Sequence, residues 1–381
     1  MEIIEKIKQV ANIVELASAY TTLRRRGQKF FGLCPFHAER NPSFTVDEEK
    51  QLYHCFGCGA GGDIFSLIME KENLSFLEAI RFLAEKYHLP LPQPARLNPE
   101  VKKLEARLYE INELALTFFR RQLHQTAEGQ KALFYLRQRG LDDKTIDELR
   151  LGYAPSSWNS LVNFLKEKGV TFQEILKAGL ALPSQKNQEI YDRFRGRIIF
   201  PIFSLSGRVI AFGGRILGEG EPKYLNSPDT PVYTKGQVLY GLNLTKEAIR
   251  TAQELILVEG YMDFIALYQA GLRNCVASCG TSLTVQQVSL AQRFASTIII
   301  SPDGDEAGQN AAVRAVSICL EKGMPSKVVI LPEKMDPDSF LRQRGKEAYL
   351  KLVRQPFLGF DFLLNNTNQN SKICLLNLAL R

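Results

Sequence analysis

Leu255-Ile256-Leu257-Val258-Glu259-Gly260-Tyr261-Met262-Asp263 decides the reading of this chain. Four apolar residues in a row do not alternate, so they suit a strand covered on both faces rather than one with a wet side. The pattern recurs at Cys275–Ala277, Thr297–Ile300 and Val328–Leu331, with helical stretches such as Asp263–Ala270 and Ala311–Leu320 between. Short buried strands alternating with helices predict a parallel α/β sheet over residues 251–345.

Acidic residues follow these runs. Glu259 comes directly after the first, Asp303 and Asp305 after the third, Asp336 and Asp338 after the fourth. Sites in open α/β sheets lie outside the carboxyl ends of the strands, so three segments are expected to deliver carboxylates to one edge. Clustered carboxylates repel one another unless cations neutralise them, and an all-oxygen set suits Mg²⁺ or Mn²⁺. Such sites support two-metal chemistry on phosphates. Asp303-Gly304-Asp305 could also open a calcium loop, but Ala307 and Arg314 stand where that loop needs oxygen ligands.

Upstream, residues 190–215 alternate and look extended around the turn Ser206-Gly207. There Arg193, Arg195 and Arg197 would share one face of a strand. Phe212-Gly213-Gly214-Arg215 and Pro222-Lys223-Tyr224-Leu225-Asn226 follow, then Lys235. Cations beside an aromatic have the composition of a strand-tracking nucleic-acid groove, and the glycines would let backbone approach a phosphate. A solvated charged face is the plainer reading of the same composition. Helical periodicity returns over residues 100–150, with Leu104, Leu108, Ile111 and Ala115 on one stripe.

Near the N-terminus, Cys34-Pro35-Phe36-His37 and Tyr53-His54-Cys55-Phe56-Gly57-Cys58 carry two close ligand pairs. That spacing predicts a zinc ribbon with one hairpin between its turns and one structural Zn²⁺ on Cys34, His37, Cys55 and Cys58. His54 adjoins Cys55 and so points to the opposite face of an extended strand. Gly57, Gly59 and Gly62 formally spell a dinucleotide fingerprint, but they overlap the zinc turn and follow no Rossmann strand. Arg24-Arg25-Arg26 and Lys29 lie beside Phe30 and Phe31, a second basic-aromatic stretch. The module opens on an amphipathic helix with Ile3, Ile7, Val10 and Val14 on one face. It closes on a helix begun by a Ser75–Glu78 capping box and burying Phe76, Ile80, Leu83 and Tyr87. The expected organisation is a zinc ribbon at 1–90, a Pro-rich linker at 91–99, a mixed α+β basic subdomain at 100–250, the parallel sheet at 251–345, and a short helical tail at 346–381.

The 381 residues allow two or three domains, and 48 Lys+Arg against 41 Asp+Glu, net +7, lean toward a polyanionic partner. No apolar run is long enough to span a bilayer, and the charged N-terminus is not a signal peptide. Cys275, Cys279, Cys319 and Cys374 show no framework spacing, so a reduced, cytoplasmic chain is expected.

Taken together, these motifs resemble those of bacterial replicative DNA primases. The resemblance covers nearly all of residues 1–365: the Cys/His pairs match the family's zinc-binding domain. Asp192-Arg193-Phe194-Arg195, Phe212-Gly213-Gly214-Arg215 and Pro222–Ser227 match its RNA-polymerase basic motifs, while Glu259–Asp263, Asp303-Gly304-Asp305 and Asp336-Pro337-Asp338 match its toprim motifs. It implies Glu259 as metal ligand or general acid/base supported by Asp263, Asp303 and Asp305 as principal Mg²⁺ ligands, and Asp336 and Asp338 completing the site. It further implies Arg139, Arg215, Lys223 and Lys235 on template or nucleotide phosphates, with Arg193, Arg195, Arg197 and Tyr224 in the same groove. The implied reaction is template-directed RNA primer synthesis on single-stranded DNA from ribonucleoside triphosphates by a nucleoid-associated monomer. A replicative helicase is the family's partner, but the domain that docks it is not expected within a sequence ending at Arg381. Pro302 stands where the family has an aromatic, and Glu333-Lys334-Met335 lacks the glycine expected before Asp336, so altered loop shape is expected there.

A toprim nuclease, with the same carboxylates activating water, is the alternative enzyme. A single-stranded-DNA-binding fragment without full activity is the alternative without catalysis. A type IA topoisomerase lacks room for its clamp here, and a fused helicase lacks its phosphate loop.

Overall fold

The computed structural model describes residues 2–366 apart from 73, 75, 88, 90–98, 185–188, 281 and 333, and apart from the side chains of residues 2, 77, 78, 81 and 99. The chain divides into two compact units, Met1–Lys102 and Lys103–Arg381.

In the first unit five short strands form an antiparallel meander in chain order: Arg24–Arg26, Lys29–Gly32, Phe44–Asp47, Leu52–Cys55 and Gly61–Gly62. The hairpin Phe44–Asp47/Leu52–Cys55 is the one expected between the ligand pairs, and it sets Phe44 opposite Cys55. Helices Glu2–Val10, Ile13–Ser18, Ile64–Glu72 and Phe76–Lys86 complete the unit, sharing a core of Ile7, Leu16, Phe44, Val46, Leu67 and Leu83. The expected single N-terminal helix is two. Asn12 caps the second, its Oδ1 accepting from the Val14 N–H at 2.8 Å, and the break turns Val10 out to solvent. Phe76 is likewise exposed rather than buried, touching Phe65 edge-on, and Ala79, Ile80, Leu83 and Ala84 line the buried face instead. The expected Ser75–Glu78 capping box and the Pro-rich linker lie outside the described residues.

Among the described residues the second unit contains two large sheets and a two-stranded ribbon, Ala181–Pro183 with Ile190–Asp192. Tyr224–Asn226, Val209–Ile216, Arg197–Phe203 and Gly152–Ala154 form an antiparallel sheet in that spatial order, packed on the long helix Pro99–Gln125. Leu108, Ile111 and Ala115 are fully buried on that helix, as their stripe predicts. The other sheet runs Cys275–Ala277, Glu254–Val258, Thr297–Ile300, Ser326–Val328, Phe357–Leu358. Its first four strands are parallel, and the last is an antiparallel edge. The reason the central runs are continuously apolar is direct. Ile256 and Val258 enter one hydrophobic cluster while Leu255 and Leu257 enter another on the opposite face. The former cluster also holds Leu123, Leu136, Phe200 and Ile210, so the two sheets share one core.

The fourth strand starts two residues before the expected run at Val328. Lys327 lies on it, and its side chain reaches past Thr297–Ile300 to pair with Glu254 of the next strand but one at 2.7 Å. The helix Pro337–Arg354 crosses the boundary expected at 345, with Gly345 at φ +79 marking a kink, and Gly359–Asn365 is the last described helix. Among the described residues no helix is long and apolar enough to cross a membrane. Residues 367–381, including Cys374, lie outside the described residues.

Candidate active site and zinc centre

The ligand atoms of Cys34, His37, Cys55 and Cys58 all lie within 4.8 Å of one another. Zn–S bonds near 2.3 Å in a tetrahedron set sulfurs about 3.8 Å apart. Cys34 Sγ and Cys58 Sγ stand at 3.8 Å, as do Cys55 Sγ and His37 Nδ1. The residues therefore fit the ion. Backbone N–H groups serve the sulfurs: Phe36 to Cys34 at 3.4 Å, Gly57 and Cys58 to Cys55 at 3.3 and 3.4 Å. Burial raises the Cys55 thiol, but the Ser43 hydroxyl and these N–H groups outweigh it and bring it down to about 6. Burial pushes Cys34 up to about 11. His54 is exposed on the face opposite Cys55, as alternation requires.

Sequence reasoning missed Glu39. Its Oε2 lies 3.3 Å from His37 Nε2, and its Oε1 accepts from the Cys34 and Ser43 N–H groups at 2.7 and 3.0 Å. One carboxylate thus holds the first ligand turn and the imidazole, directing Nδ1 toward the sulfurs. An acidic residue two positions after a ligand histidine was the available signal.

In the second unit, a groove of about 610 Å³ opens at the carboxyl end of the parallel sheet. Carboxylates Glu259, Asp263, Asp303 and Asp336 line one part of it, and Arg139, Arg193, Arg215, Lys223, Tyr224 and Lys235 another. Glu259 is the first residue beyond its strand. Gly260 then starts the helix Tyr261–Gln269, and Asp263 folds back to accept the Gly260 N–H at 3.2 Å. A side chain on Gly260 would meet that carboxylate at 2.7 Å. The Asp303 N–H donates to Glu259 Oε1 at 3.4 Å. Gly304 pairs with the next loop, its N–H to the Met335 carbonyl at 2.7 Å and its carbonyl to the Lys334 N–H at 3.0 Å. A Cβ at Gly304 would meet the Pro332 carbonyl at 2.2 Å, so glycine is needed for this approach. The contact brings Asp336 to Asp303. Lys334 takes φ +64, a conformation favoured by glycine, in the very loop where the glycine is missing.

Asp305 and Asp336 cap the helices Glu306–Glu321 and Pro337–Arg354, accepting from Gly308 and Ser339 N–H groups at 2.8 and 2.7 Å. Burial, then the facing Asp263, Glu259 and Asp336, pushes the Asp303 carboxyl up to about 8. Burial, with Asp336 beside it, brings Asp263 up to about 7, and burial also raises Glu259. Asp303 Oδ1 is buried and has no hydrogen-bond partner. An orphaned carboxylate oxygen among other carboxylates fits a divalent cation.

Three expectations need correction. Asp338 does not line the groove: it is buried and paired with Arg139 and Arg342. The three arginines do not share a strand face, because Gly196 at φ +57 breaks the segment and only Arg197 is in the strand. Arg193 reaches the groove and donates to the Asn226 carbonyl at 2.8 Å. Arg197 is buried and bonds the Gly214 carbonyl at 3.2 Å, a structural role. Arg195 sits elsewhere, its guanidinium 4.3 Å from the ring centre of the exposed Trp158 and 5.1 Å from that of Tyr191. Gly213 and Gly214 admit side chains rather than a phosphate. A Cβ there would meet Tyr261 Oη at 2.3 Å or the Phe194 ring at 2.8 Å.

Within the groove, Arg215 donates to Tyr224 Oη at 2.6 Å and stacks near Tyr135 and Tyr224. Lys235 Nζ bonds the Gly280 carbonyl at 3.2 Å. Asn226, which no sequence motif singles out for a role, bridges the groove. It accepts from Tyr261 Oη at 2.8 Å and donates to the Cys279 carbonyl at 3.0 Å, tying the basic wall to the acidic one.

Comparison with known proteins agrees with this geometry. Residues 1–98 match the CHC2 zinc finger family, 118–246 the N-terminal domain of the DNA primase catalytic core, and 256–341 a Toprim-like family. The crystal structure of the Aquifex aeolicus primase (zinc binding and RNA polymerase domains) superposes with a TM-score of 0.65 at 36% identity, covering 99% of this chain and 92% of that one. This chain belongs to the DnaG primase family. A DnaG primase catalytic domain bound to ssDNA is similar at 38% identity and TM-score 0.63, over 69% of this chain and 83% of that one. The DNA primase of Clostridium acetobutylicum is 42% identical over 370 residues, 97% of this chain and 61% of its own length. That of Halalkalibacterium halodurans is 42% identical over 354 residues, 92% of this chain and 59% of its length. The chain thus spans about 60% of these curated relatives. The Cys/His cluster is the structural zinc site of the CHC2 finger.

Proposed function

We propose that this chain carries the nucleotidyl-transfer centre that makes RNA primers on single-stranded DNA. The observation that carries the reading is one groove holding four carboxylates beside five cationic side chains. Glu259, Asp263, Asp303 and Asp336 would hold Mg²⁺ or Mn²⁺, with Asp305 next to them at its helix terminus. The orphaned Asp303 oxygen supports a cation there. Such ions, when bound, activate a 3′-hydroxyl and stabilise charge on a leaving pyrophosphate. Arg139, Arg193, Arg215, Lys223 and Lys235 supply positive charge for template and triphosphate phosphates. Arg215, held by Tyr224, is pre-oriented for that contact. Trp158 with Arg195 offers an exposed stacking surface of the composition that single strands use. In the zinc-ribbon unit, Arg25 and Arg26 over Phe30 and Phe31 offer another, suited to reading template.

A priming assay with labelled ribonucleotides on single-stranded template tests this. Mg²⁺-dependent oligoribonucleotides are expected from the wild-type chain and none from Asp303→Ala or Asp305→Ala, which should still bind template. Nicking of the template without need of ribonucleotides would instead favour the nuclease reading. Binding without any metal-dependent product would favour a DNA-binding fragment.

A further inference from the structure

We propose that Asp338 is a positioning residue for Arg139 and not a ligand of the groove's cations, an inference that rests on the reading of the groove given above. The motif Asp336-Pro337-Asp338 invites both aspartates to be treated alike, but the helix separates them. Asp336 is the N-cap of Pro337–Arg354 and lines the groove. Asp338, two residues on, is rotated by about 200° on a helix of 3.6 residues per turn, so it leaves on the opposite side. It is 1% exposed and lines a neighbouring cavity together with Arg139, Gly140 and Arg342.

Both of its oxygens are engaged. Arg342 donates from Nε to Oδ1 at 3.0 Å and from Nη2 to Oδ2 at 3.3 Å, and Arg139 Nη2 donates to Oδ2. A cation on Asp338 would have to displace charge-assisted bonds to two guanidinium groups, each stronger than a neutral hydrogen bond. Its backbone serves the acidic wall instead, the Asp338 N–H donating to Asp263 Oδ1 at 3.2 Å.

Arg139 has the complementary geometry. It is the C-cap of the helix Ala127–Gln138 and is followed by Gly140 at φ +86, so it leaves from a chain turn rather than from a rigid helix face. It lines both cavities. Asp338 therefore fixes a side chain from the helical layer at the rim of the groove, where it can meet a phosphate. The second aspartate of the motif acts on the ligand through an arginine.

The test uses the full chain, with Mn²⁺ binding read by paramagnetic resonance and phosphate-bearing ligands represented by labelled oligo-dT and by GTP. Asp338→Asn is expected to keep Mn²⁺ affinity within about twofold, while Asp336→Asn loses about tenfold or more as a direct ligand. Asp338→Asn and Arg139→Ala are expected to weaken the same probe, oligo-dT or GTP, by about tenfold, the size of a charged hydrogen bond. The double variant should be no worse than Arg139→Ala alone, as for residues acting in one chain. An Mn²⁺ loss in Asp338→Asn equal to that of Asp336→Asn, or additive losses of probe binding, would overturn the proposal.

If Asp338→Asn folds poorly, Arg139→Met gives the converse test. Unchanged Mn²⁺ affinity is expected, and tighter Mn²⁺ binding would show that a freed Asp338 is a ligand after all. Should Asp303→Asn and Asp336→Asn also leave Mn²⁺ binding untouched, the metal reading of the groove fails, while the non-additivity of the probe arm still decides the Asp338–Arg139 link.

Discussion

Asp303→Asn should stabilise the second unit in the absence of divalent cations and destabilise it in their presence. The Asp303 carboxyl is held at about 8 against an ordinary 3.8, because it is buried opposite Asp263, Glu259 and Asp336. A carboxyl raised in the folded state binds its proton more tightly than in the unfolded chain. Between about pH 4 and pH 8 the folded protein therefore holds more protons, and stability falls as pH rises. The full slope for one such group is about 1.4 kcal/mol per pH unit. Solvent at the groove mouth screens it, so we expect about 2 kcal/mol in all across that window.

Denaturant unfolding of wild type and Asp303→Asn in chelator-treated buffer, from pH 4.5 to 8, measures the difference. Buffer treatment is preferable to added EDTA, which would also strip the zinc site. The two proteins should agree near pH 4.5, with the variant about 2 kcal/mol more stable at pH 8. Saturating Mg²⁺ should reverse the order, since a ligand at about 100 times its dissociation constant stabilises only the protein that binds it, by about 2.7 kcal/mol. Parallel pH profiles, or a metal-free variant less stable than wild type at pH 8, would refute the claim that mutual repulsion governs this cluster.

Zinc removal or Cys58→Ser should unfold residues 30–60 without altering the second unit, because metal binding supplies about 10–16 kcal/mol toward folding such a module; Glu39→Ala should cut zinc affinity about 10–100-fold by releasing His37, and protease sensitivity with a chromophoric chelator competition reads both. Lys223→Ala and Arg215→Ala should each lower the salt slope of single-stranded DNA binding by about 0.7 if each meets one phosphate, whereas Arg197→Ala, which removes a buried hydrogen-bonded guanidinium, should lower the melting temperature; salt titrations and calorimetry separate the two effects.

Which parts of this molecule could be read from its sequence follows from how local the physics is. The strand Glu254–Val258 was legible because burial on both faces demands an unbroken apolar run, and the two clusters receiving its alternate residues supply that burial. The zinc ligands were legible because two tight turns hold each pair at fixed spacing. The places of Arg195 and Arg197 are not legible from strand alternation, because Gly196 breaks the strand with a positive φ that sends one arginine to Trp158 and the other into the protein. The role of Gly213 and Gly214 is not legible for the opposite reason: the space they leave is filled by Tyr261, Phe194 and Arg197, partners separated from them in sequence. Glu39, Asn226 and the Asp338–Arg139 pair share that property, since each acts through a contact that only the folded chain creates. The carboxylates at strand ends were visible one by one, but their repulsion was not. It arises because Gly304 lets the Asp303 loop pair with the backbone before Asp336, drawing like charges from separate segments into one groove. A cluster assembled at that electrostatic cost persists because the fold's backbone hydrogen bonds hold it, and a divalent cation bound there, as proposed above, would relieve it.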